Sequence, residues 1–289
     1  MNGLILLDKP EGITSFGATC AIKKIFNTKR VGHTGTLDPL ATGVLPILVG
    51  RATRLATYIC EADKRYTATL KLGITTDTQD ITGEIIKSNP TDVSRQQFLS
   101  AIERFRGEIM QKPPMYSAIR KDGVRLYSLA RQGIEIEREL RPIIIKEINL
   151  LEQLSDTEYV IDVLCSKGTY IRTLIDDIGA LLGCGATMTA LRRTMTAGFS
   201  IDDCVKLESL RENPDGNILS ADVAVPDFEN VFVSSAQGKR FLCGGELSLQ
   251  RLTLPQNPTE LLKIYSDDLF LGLGYLSEND LKVKCIVAE

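Results

Sequence analysis

A polar segment at residues 32–39, Gly-His-Thr-Gly-Thr-Leu-Asp-Pro, contains the strongest candidate for chemistry. Its aspartate, Asp38, could act as a nucleophile or as a base, since an ionised carboxylate can do either. An aspartate before a proline is more often the N-cap of a short turn. His33 and the nearby charges of Lys29 and Arg30 favour chemistry, but the residues alone leave both interpretations open.

Regular elements on both sides of this segment must hold it in place. Ser15 is the expected N-cap of a helix over residues 16–27, whose apolar residues recur at helical spacing. Residues 31–46 are rich in Gly, Thr and Pro, which predicts a structured loop. We therefore expect Asp38 to lie on a loop, where functional residues are common.

Two later segments predict a sheet and a helix. Tyr66 opens an alternating segment that continues to Leu72, which is the pattern of a half-buried strand. Residues 159–165 predict a second strand, followed by a helix whose apolar stripe starts at Ile171. Arg172 lies off that stripe, so we expect its side chain to point towards solvent or a cleft.

Composition predicts a soluble, cytoplasmic globular protein. The 289 residues are 43% hydrophobic and 25% charged, which suits one large core and a small second domain. No basic leader opens the chain, and no apolar run approaches the roughly 20 residues that span a bilayer. The seven scattered cysteines predict buried side chains rather than a disulfide framework. With a single histidine and no close ligand cluster, we expect no metal.

Positive charge is concentrated in two zones, although the net charge is -3. Residues 9–71 contain ten Lys or Arg against four acids, and residues 101–146 contain ten against six. Such zones could bind the phosphates of a nucleic acid or be ordinary solvated faces. Residues 113–141 mix basic and aromatic side chains, which fits a flap that closes on RNA or a polar helical hairpin.

The end of the chain has a different character. Pro, Gly and Asn at residues 208–228 predict a linker. Short apolar runs after it predict a small β-rich domain over residues 228–289.

Six motifs in sequence order make residues 1 to about 200 resemble the TruB family of pseudouridine synthases. The motifs occupy residues 7–15, 30–46, 63–66, 76–83, 113–118 and 165–174. The resemblance implies the α+β pseudouridine synthase fold, a mixed, mainly antiparallel sheet flanked by helices. It also implies a catalytic domain over 1–227, with a thumb-like RNA-binding insertion at 113–141, and a PUA-like domain over 228–289.

The resemblance implies that the protein isomerises uridine 55 in the T-arm of tRNA to pseudouridine. The base is flipped out, its glycosidic bond breaks, and the bond re-forms through carbon 5. In the family's scheme Asp38 is the nucleophile that attacks the ribose or the base of the target uridine, or it abstracts a ribose proton. Arg172 pairs with Asp38 and favours its ionised form. Tyr66 stacks on the uracil and takes the proton from carbon 5. No cofactor is required.

Further positions match family residues with supporting roles. They are His33, Lys9, Pro10, Asp80, Tyr170 and Leu191. By the resemblance, His33 supports the stack that the flipped base vacates, and Lys9 and Pro10 support the active-site loop. The other three lie near the bound nucleotide by the resemblance, with Leu191 as an apolar wall. From the residues alone, an ordinary core position is the favoured interpretation of Leu191.

Three alternatives remain open. A guide-RNA-dependent relative that modifies ribosomal RNA shares the motifs, but residues 228–289 hold six Lys or Arg against eight acids, which favours a stand-alone enzyme. An RNA-binding protein that folds tRNA without chemistry is a second alternative, and folding could coexist with catalysis. A glycoside hydrolase lacks a candidate second carboxylate. We expect tRNA as the partner, no obligate protein partner, no membrane, and a monomer.

Overall fold

The structure, a computed structural model, describes residues 2–60, 62–121 and 123–288. It divides into two units. Unit 1 comprises Met1–Pro39, Val44–Glu61 and Asp202–Glu289, and unit 2 comprises Leu40–Gly43 and Ala62–Ile201. Asp122, which belongs to the expected insertion at 113–141, lies outside the described residues.

The strands and helices follow the chain in this order. The strands are β1 (Gly3–Lys9), β2 (Val31–His33), β3 (Thr42–Val49), β4 (Lys64–Leu72), β5 (Ile74–Thr76), β6 (Ile85–Ser88), β7 (Gly107–Gln111), β8 (Arg120–Lys121), β9 (Val124–Arg125), β10 (Arg141–Gln153), β11 (Glu158–Cys165), β12 (Ala186–Thr196), β13 (Phe199–Ser200), β14 (Glu229–Val233), β15 (Leu247–Ser248), β16 (Leu261–Ser266), β17 (Leu269–Leu276) and β18 (Asp280–Ile286). The helices are α1 (Ser15–Ile25), α2 (Ala56–Cys60), α3 (Arg95–Glu103), α4 (Leu126–Ala130), α5 (Ile171–Leu182), α6 (Leu207–Glu212) and α7 (Ser235–Leu242). Within the part of the chain that the structure describes, no helix has the length and apolar character that a membrane span needs.

A mainly antiparallel sheet organises unit 2, with the strand order β12-β4-β11-β10-β7. In β4 the even-numbered side chains from Tyr66 to Leu72 are buried, as their alternation predicts. The strand begins at Lys64, so Tyr66 is its third residue and not its first. Helix α5 covers β12 and β4 with its apolar stripe. The predicted fold class, a mixed and mainly antiparallel sheet flanked by helices, is confirmed.

One parallel pairing in unit 2 depends on glycine. Thr42 and Gly43, the start of β3, pair in parallel with Arg192 and Arg193 of β12. Gly43 has a φ of +100°, and a Cβ built there would lie 2.2 Å from the carbonyl oxygen of Arg193. Any larger residue would force the two backbones apart, so glycine is required for this close approach.

Unit 1 contains the segment around Asp38. Strand β3 pairs with β1. It also pairs antiparallel with all three residues of β2, Val31–His33. The prediction of one loop over 31–46 was therefore wrong at both ends, and only residues 34–41 lie between strands. The glycines and threonines obscured a short hairpin whose backbone bonds do not depend on side-chain type.

The start of α1 also differs from the prediction. Thr14 is the N-cap, and its hydroxyl oxygen accepts a hydrogen bond from the amide of Gly17 at 2.8 Å. Ser15 is the first residue of the helix, and its hydroxyl contacts Leu37 instead. The helix accordingly runs over Ser15–Ile25 rather than 16–27.

The last part of the chain forms a five-stranded sheet within unit 1, ordered β14-β16-β17-β18-β15. Its core includes Val231, Phe241, Ile264 and Leu281, with Phe241 supplied by α7. The predicted β-rich character of this region is confirmed.

The prediction of a linker at 208–228 was wrong. This segment contains α6, whose Leu210 is fully buried, and Leu219 exchanges backbone hydrogen bonds with Leu4 of β1. The Pro and Gly residues mark turns between packed pieces, and such turns resemble a linker in composition.

Residues 113–141 form an excursion between β7 and β10, which are neighbouring strands of one sheet. The excursion contains the two-residue strands β8 and β9 and the single turn α4. The helical hairpin alternative is therefore wrong. Arg131, the residue directly after α4, lies over the ring of Tyr127, with 5.7 Å between the guanidinium carbon and the ring centroid.

Part of the positive charge in the 9–71 zone serves packing within unit 1. The guanidinium of Arg51 donates to the carbonyl of Ala288 at 2.5 Å, and that of Arg54 donates to Ile286 at 2.7 Å. These two cations bind the end of β18 and the residues after it, so the charge count overstates what is presented to a polyanion.

The cysteines are less uniform than expected. Cys165 and Cys184 are buried, but Cys243 is exposed and Cys20, Cys204 and Cys285 are intermediate. These six carry free thiols. Burial raises the pKa of Cys165 to about 11, so this thiol is an inert core group rather than a nucleophile.

A partly buried carboxyl in α5 makes stability depend on pH. The pKa of Asp177 is raised to about 6, mainly because the carboxyl is partly buried and secondly because Asp176 repels its charge. A raised folded-state pKa means that ionisation opposes folding, so this cost is absent below about pH 4 and grows as the pH rises through about 6. We expect Asp177→Asn to raise the free energy of unfolding at pH 7.5 by about 1–2 kcal/mol, after allowance for partial exposure. Urea unfolding should show a gain about half as large at pH 5, and equal gains at both pH values would contradict the assignment.

Candidate functional site

The Asp38 loop, residues 34–39, lies between β2 and β3 in unit 1. The amide of Thr34 donates to the carbonyl of Pro46 at 3.0 Å, which extends the β2–β3 hairpin by one bond. Leu37 is 3% exposed and anchors the loop in the core, whereas Asp38 is half-buried. The loop thus presents a carboxylate from a fixed backbone. His33 is the last residue of β2 and directly precedes this loop.

The buried side chain of Lys9 supports the Asp38 loop. Its side chain is fully buried at the end of β1, and its ammonium donates to the carbonyls of Pro10 and Ile13, both at 2.8 Å. A longer contact of 3.4 Å reaches the carbonyl of Pro39, which also accepts the amide of Gly12 at 2.9 Å. One buried cation therefore ties the turn after β1 to the residue that follows Asp38.

Replacing Lys9 by methionine should loosen this support. Charged hydrogen bonds contribute about 1.5–3 kcal/mol each, and methionine retains only the apolar part of the side chain. We expect Lys9→Met to lower the free energy of unfolding by about 2–4 kcal/mol. The measurement is the midpoint of thermal unfolding, which falls with that free energy. Lys24→Met removes an exposed cation from α1 and is the matched control. Equal midpoints for the two variants would contradict the supporting role.

A second group of candidates meets in unit 2, and we call it the Arg172 cluster: Arg172, Asp80, Thr78 and Tyr116. The guanidinium of Arg172 donates to the carbonyl of Tyr116 at 2.8 Å and to that of Thr78 at 3.1 Å. It also forms an ion pair with Asp80 at 3.5 Å, and both side chains are less than 10% exposed. Arg172 is therefore not a solvated surface residue, and that alternative is wrong.

Asp80 is itself held in place by its neighbours in the loop after β5. One carboxylate oxygen accepts from the amide of Thr82 at 3.0 Å and from the hydroxyl of Thr78 at 3.0 Å. The other oxygen faces Arg172. A carboxylate fixed in this way restricts the guanidinium to one orientation, because both partners are buried and hydrogen-bonded.

Two glutamines position the Arg172 cluster and were missed in the sequence. Gln111, 2% exposed, accepts from the amide of Tyr170 at 2.9 Å and donates to its carbonyl at 3.1 Å. Tyr170 is the N-cap residue of α5, so Gln111 fixes the start of the helix that carries Arg172. Gln79, between Thr78 and Asp80, has a φ of +63°. This unusual backbone conformation is what would mark Gln79 as a positioning residue, and the conformation cannot be recognised from the sequence.

Gln79 links the loop after β5 to α5. Its side chain accepts from the hydroxyl of Thr173 at 2.9 Å and donates to Asp176 at 2.9 Å. Both partners lie on the helix of Arg172. The loop that supplies Asp80 and the helix that supplies the guanidinium are thus held together directly.

Tyr66 and Leu191 lie on neighbouring strands of the unit 2 sheet. Tyr66 is 6% exposed and pairs with Arg193 of β12, while Leu191 is 8% exposed and pairs with Ala68. The two side chains are therefore diagonal neighbours across β4 and β12. Leu191 is nearly a core residue, in keeping with the interpretation that the residues alone favoured.

The candidates thus form two groups, each within one unit. Unit 1 holds Asp38, His33, Lys9 and Pro10. Unit 2 holds Tyr66, Asp80, Tyr170, Arg172 and Leu191. The predicted pairing of Asp38 with Arg172 joins residues of different units and stays a prediction. Among the described residues, no group of three or more His, Cys, Asp or Glu side chains could hold a metal ion.

Family models match two consecutive parts of the chain. The TruB family pseudouridylate synthase N-terminal domain matches residues 23–171. The tRNA pseudouridylate synthase B C-terminal domain matches residues 172–217.

Curated relatives match the chain almost end to end. A tRNA pseudouridine synthase B of Azoarcus sp. (strain BH72) is 42% identical over 292 residues, covering 100% of this chain and 95% of the relative. One of Clostridium novyi (strain NT) is 44% identical over 287 residues, covering 98% and 99%. Similarity therefore extends through the five-stranded sheet as well as the motif-rich part.

Solved structures share the fold. A chain in a Cbf5-Nop10-Gar1 complex has a TM-score of 0.74 and 27% identity, covering 99% of this chain and 85% of that chain. A chain in an H/ACA RNP bound to a substrate RNA containing 2'-deoxyuridine has a TM-score of 0.73 and 26% identity, with the same coverage.

Proposed function

Because the chain belongs to the TruB family of pseudouridylate synthases, we propose that it isomerises uridine 55 in the T-arm of tRNA to pseudouridine. The general activity follows from the family: the chain is an isomerase that forms pseudouridine in tRNA. The observation that carries the proposal is the similarity to relatives named tRNA pseudouridine synthase B, which extends over 98–100% of the chain.

In the proposed reaction Asp38 is the nucleophile. The uridine is flipped out of the T-arm, its glycosidic bond breaks, and the uracil turns within the pocket before carbon 5 bonds to the ribose. The half-buried Asp38 and the buried Leu37 before it support this role, since a nucleophile needs both access and a fixed backbone.

Arg172 is proposed to orient Asp38 and to favour its ionised form. Support comes from the order within unit 2, where Asp80 and two carbonyls already fix the guanidinium.

Tyr66 is proposed to stack on the flipped uracil and to take the proton from carbon 5. Leu191 is proposed as an apolar wall beside it, and Tyr170 and Asp80 lie near the bound nucleotide. His33 is proposed to support the stack that the base leaves. No cofactor takes part in this scheme.

We assign the remaining tRNA contacts to the excursion at 113–141, acting as a thumb, and to a PUA-like domain over 228–289. The catalytic domain then comprises residues 1–227. The enzyme is proposed to act alone, as a cytoplasmic monomer, and a tRNA-folding role could accompany catalysis. The acidic balance of 228–289 favours this over a guide-RNA-dependent assembly.

The test is to incubate the purified protein, alone and without magnesium, with an unmodified tRNA transcript and a ribosomal RNA fragment. Pseudouridine is then mapped at single-nucleotide resolution. We expect modification at position 55 of the tRNA and none in a control transcript with cytidine there. Modification of the ribosomal fragment without modification of position 55 would overturn the proposal.

A further inference from the structure

The hydroxyl of Ser15 has a partner far away in the sequence. Ser15 is the first residue of α1 and is 2% exposed. The cap of this helix comes from Thr14, whose oxygen accepts from the amide of Gly17. The Ser15 hydroxyl is thus left to act on the Asp38 loop.

This hydroxyl binds both polar groups of one residue. Its oxygen accepts a hydrogen bond from the amide of Leu37 at 2.8 Å, and its O–H donates to the carbonyl of Leu37 at 2.9 Å. That carbonyl belongs to the peptide unit joining Leu37 to Asp38. Because both bonds are buried, water does not compete with them, and the peptide plane before Asp38 is fixed.

The other side of Asp38 is held by the same short segment of chain. The carbonyl of Pro39 accepts from the amide of Gly12 at 2.9 Å, and the ring of Pro39 restricts its own φ. Ser15 therefore holds Leu37, the residue before Asp38, and Gly12 holds Pro39, the residue after it. The peptide before Asp38 is thus fixed directly, and the residue after it is held at its carbonyl, so the backbone that carries the carboxylate is restricted on both sides.

We propose that Ser15 is a positioning residue for Asp38, setting the direction in which the carboxylate meets the target uridine. The inference rests on the proposed role of Asp38 as nucleophile. Ser15 does not touch the RNA in this scheme, so its loss should slow the chemical step and leave binding intact. Alignment of reacting groups is sensitive to shifts of about 1 Å, which can lower a rate about 100-fold.

The test compares Ser15→Ala with Thr14→Ala, its neighbour at the start of the same helix. Single-turnover rates of pseudouridine formation, tRNA dissociation constants and thermal midpoints are measured for both. We expect Ser15→Ala to reduce the rate about 10-fold or more, with tRNA binding within about two-fold of the wild type. Thr14→Ala loses the helix cap, so its midpoint should fall while its rate stays near that of the wild type.

Ser15→Cys covers the case in which alanine prevents folding. A thiol keeps the shape of the side chain but forms weaker hydrogen bonds, so we expect a folded protein with a reduced rate. A wild-type rate for Ser15→Cys or Ser15→Ala would overturn the inference. Equal slowing of Ser15→Ala and Thr14→Ala would also overturn it, because helix stability alone would then explain the effect.

Asp38→Asn, assayed in parallel, separates this inference from the proposed function. If Asp38→Asn is inactive and both Ser15 variants turn over normally, only the positioning role fails. If Asp38→Asn turns over normally, the nucleophile assignment itself fails.

Discussion

Asp38→Asn is expected to reduce the rate of pseudouridine formation by at least about 10,000-fold, the range seen when a covalent nucleophile is removed. Asparagine has nearly the same shape and keeps the loop intact, but its amide is neither a nucleophile nor a base at neutral pH. The Leu37 anchor and the Pro39 contacts do not involve the carboxylate. Binding of tRNA should therefore stay within about two-fold of the wild type.

The measurement is a single-turnover rate at saturating enzyme, together with a tRNA binding curve. Glu11→Gln is the matched control, because Glu11 is an exposed carboxylate on the segment that packs beneath the same loop. It should behave as the wild type. An Asp38→Asn enzyme within ten-fold of the wild type would show that the carboxylate is not the nucleophile.

Arg172→Ala has the second largest expected effect, a rate about 100- to 1,000-fold lower, comparable to losing one preorganised donor in an active site. It also leaves the buried Asp80 without its cation, which costs about 3–5 kcal/mol of stability. Arg172→Lys keeps the charge but cannot reach the carbonyls of Thr78 and Tyr116 together, so it should recover only part of the rate. Arg104→Ala removes an exposed arginine and serves as the control.

Asp80→Asn tests whether the pair acts as a unit. If Asp80 works by orienting Arg172, the double variant Arg172→Ala with Asp80→Asn should be little slower than Arg172→Ala alone. If the rate of the double variant instead falls by the product of the two single-variant factors, the two residues act separately. The double variant should also be more stable than Arg172→Ala, since neutralising Asp80 removes the buried charge that Arg172→Ala leaves unpaired.

Periodicity predicted the elements that carry unit 2. The alternation from Tyr66 to Leu72 and the apolar stripe from Ile171 correspond to β4 and α5, because both patterns follow from which face is buried. The six motifs identified the family. The roles of the residues within them stay predictions, since the reaction itself is not contained in the fold.

Side-chain partners distant in sequence were beyond prediction. A serine before a helical pattern fits an N-cap, and nothing local distinguishes Thr14 from Ser15 for that role. What decided it was the backbone of Leu37, 22 residues away. Arg172 presents the same difficulty, because its acceptors at Thr78 and Tyr116 lie 94 and 56 residues away. From its off-stripe position alone, the sequence could predict only that the side chain of Arg172 faces solvent or a cleft.

Release of the carbon 5 hydrogen from uridine 55 tests the central claim most directly. Forming a carbon–carbon bond at carbon 5 expels that hydrogen, so a tRNA transcript tritiated only at carbon 5 of uridine 55 reports the isomerisation itself. We predict one equivalent of tritium released to water by the wild type and none above background by Asp38→Asn with the tRNA still bound. Retention of the label by the wild type, or its release by Asp38→Asn at the wild-type rate, would contradict the account.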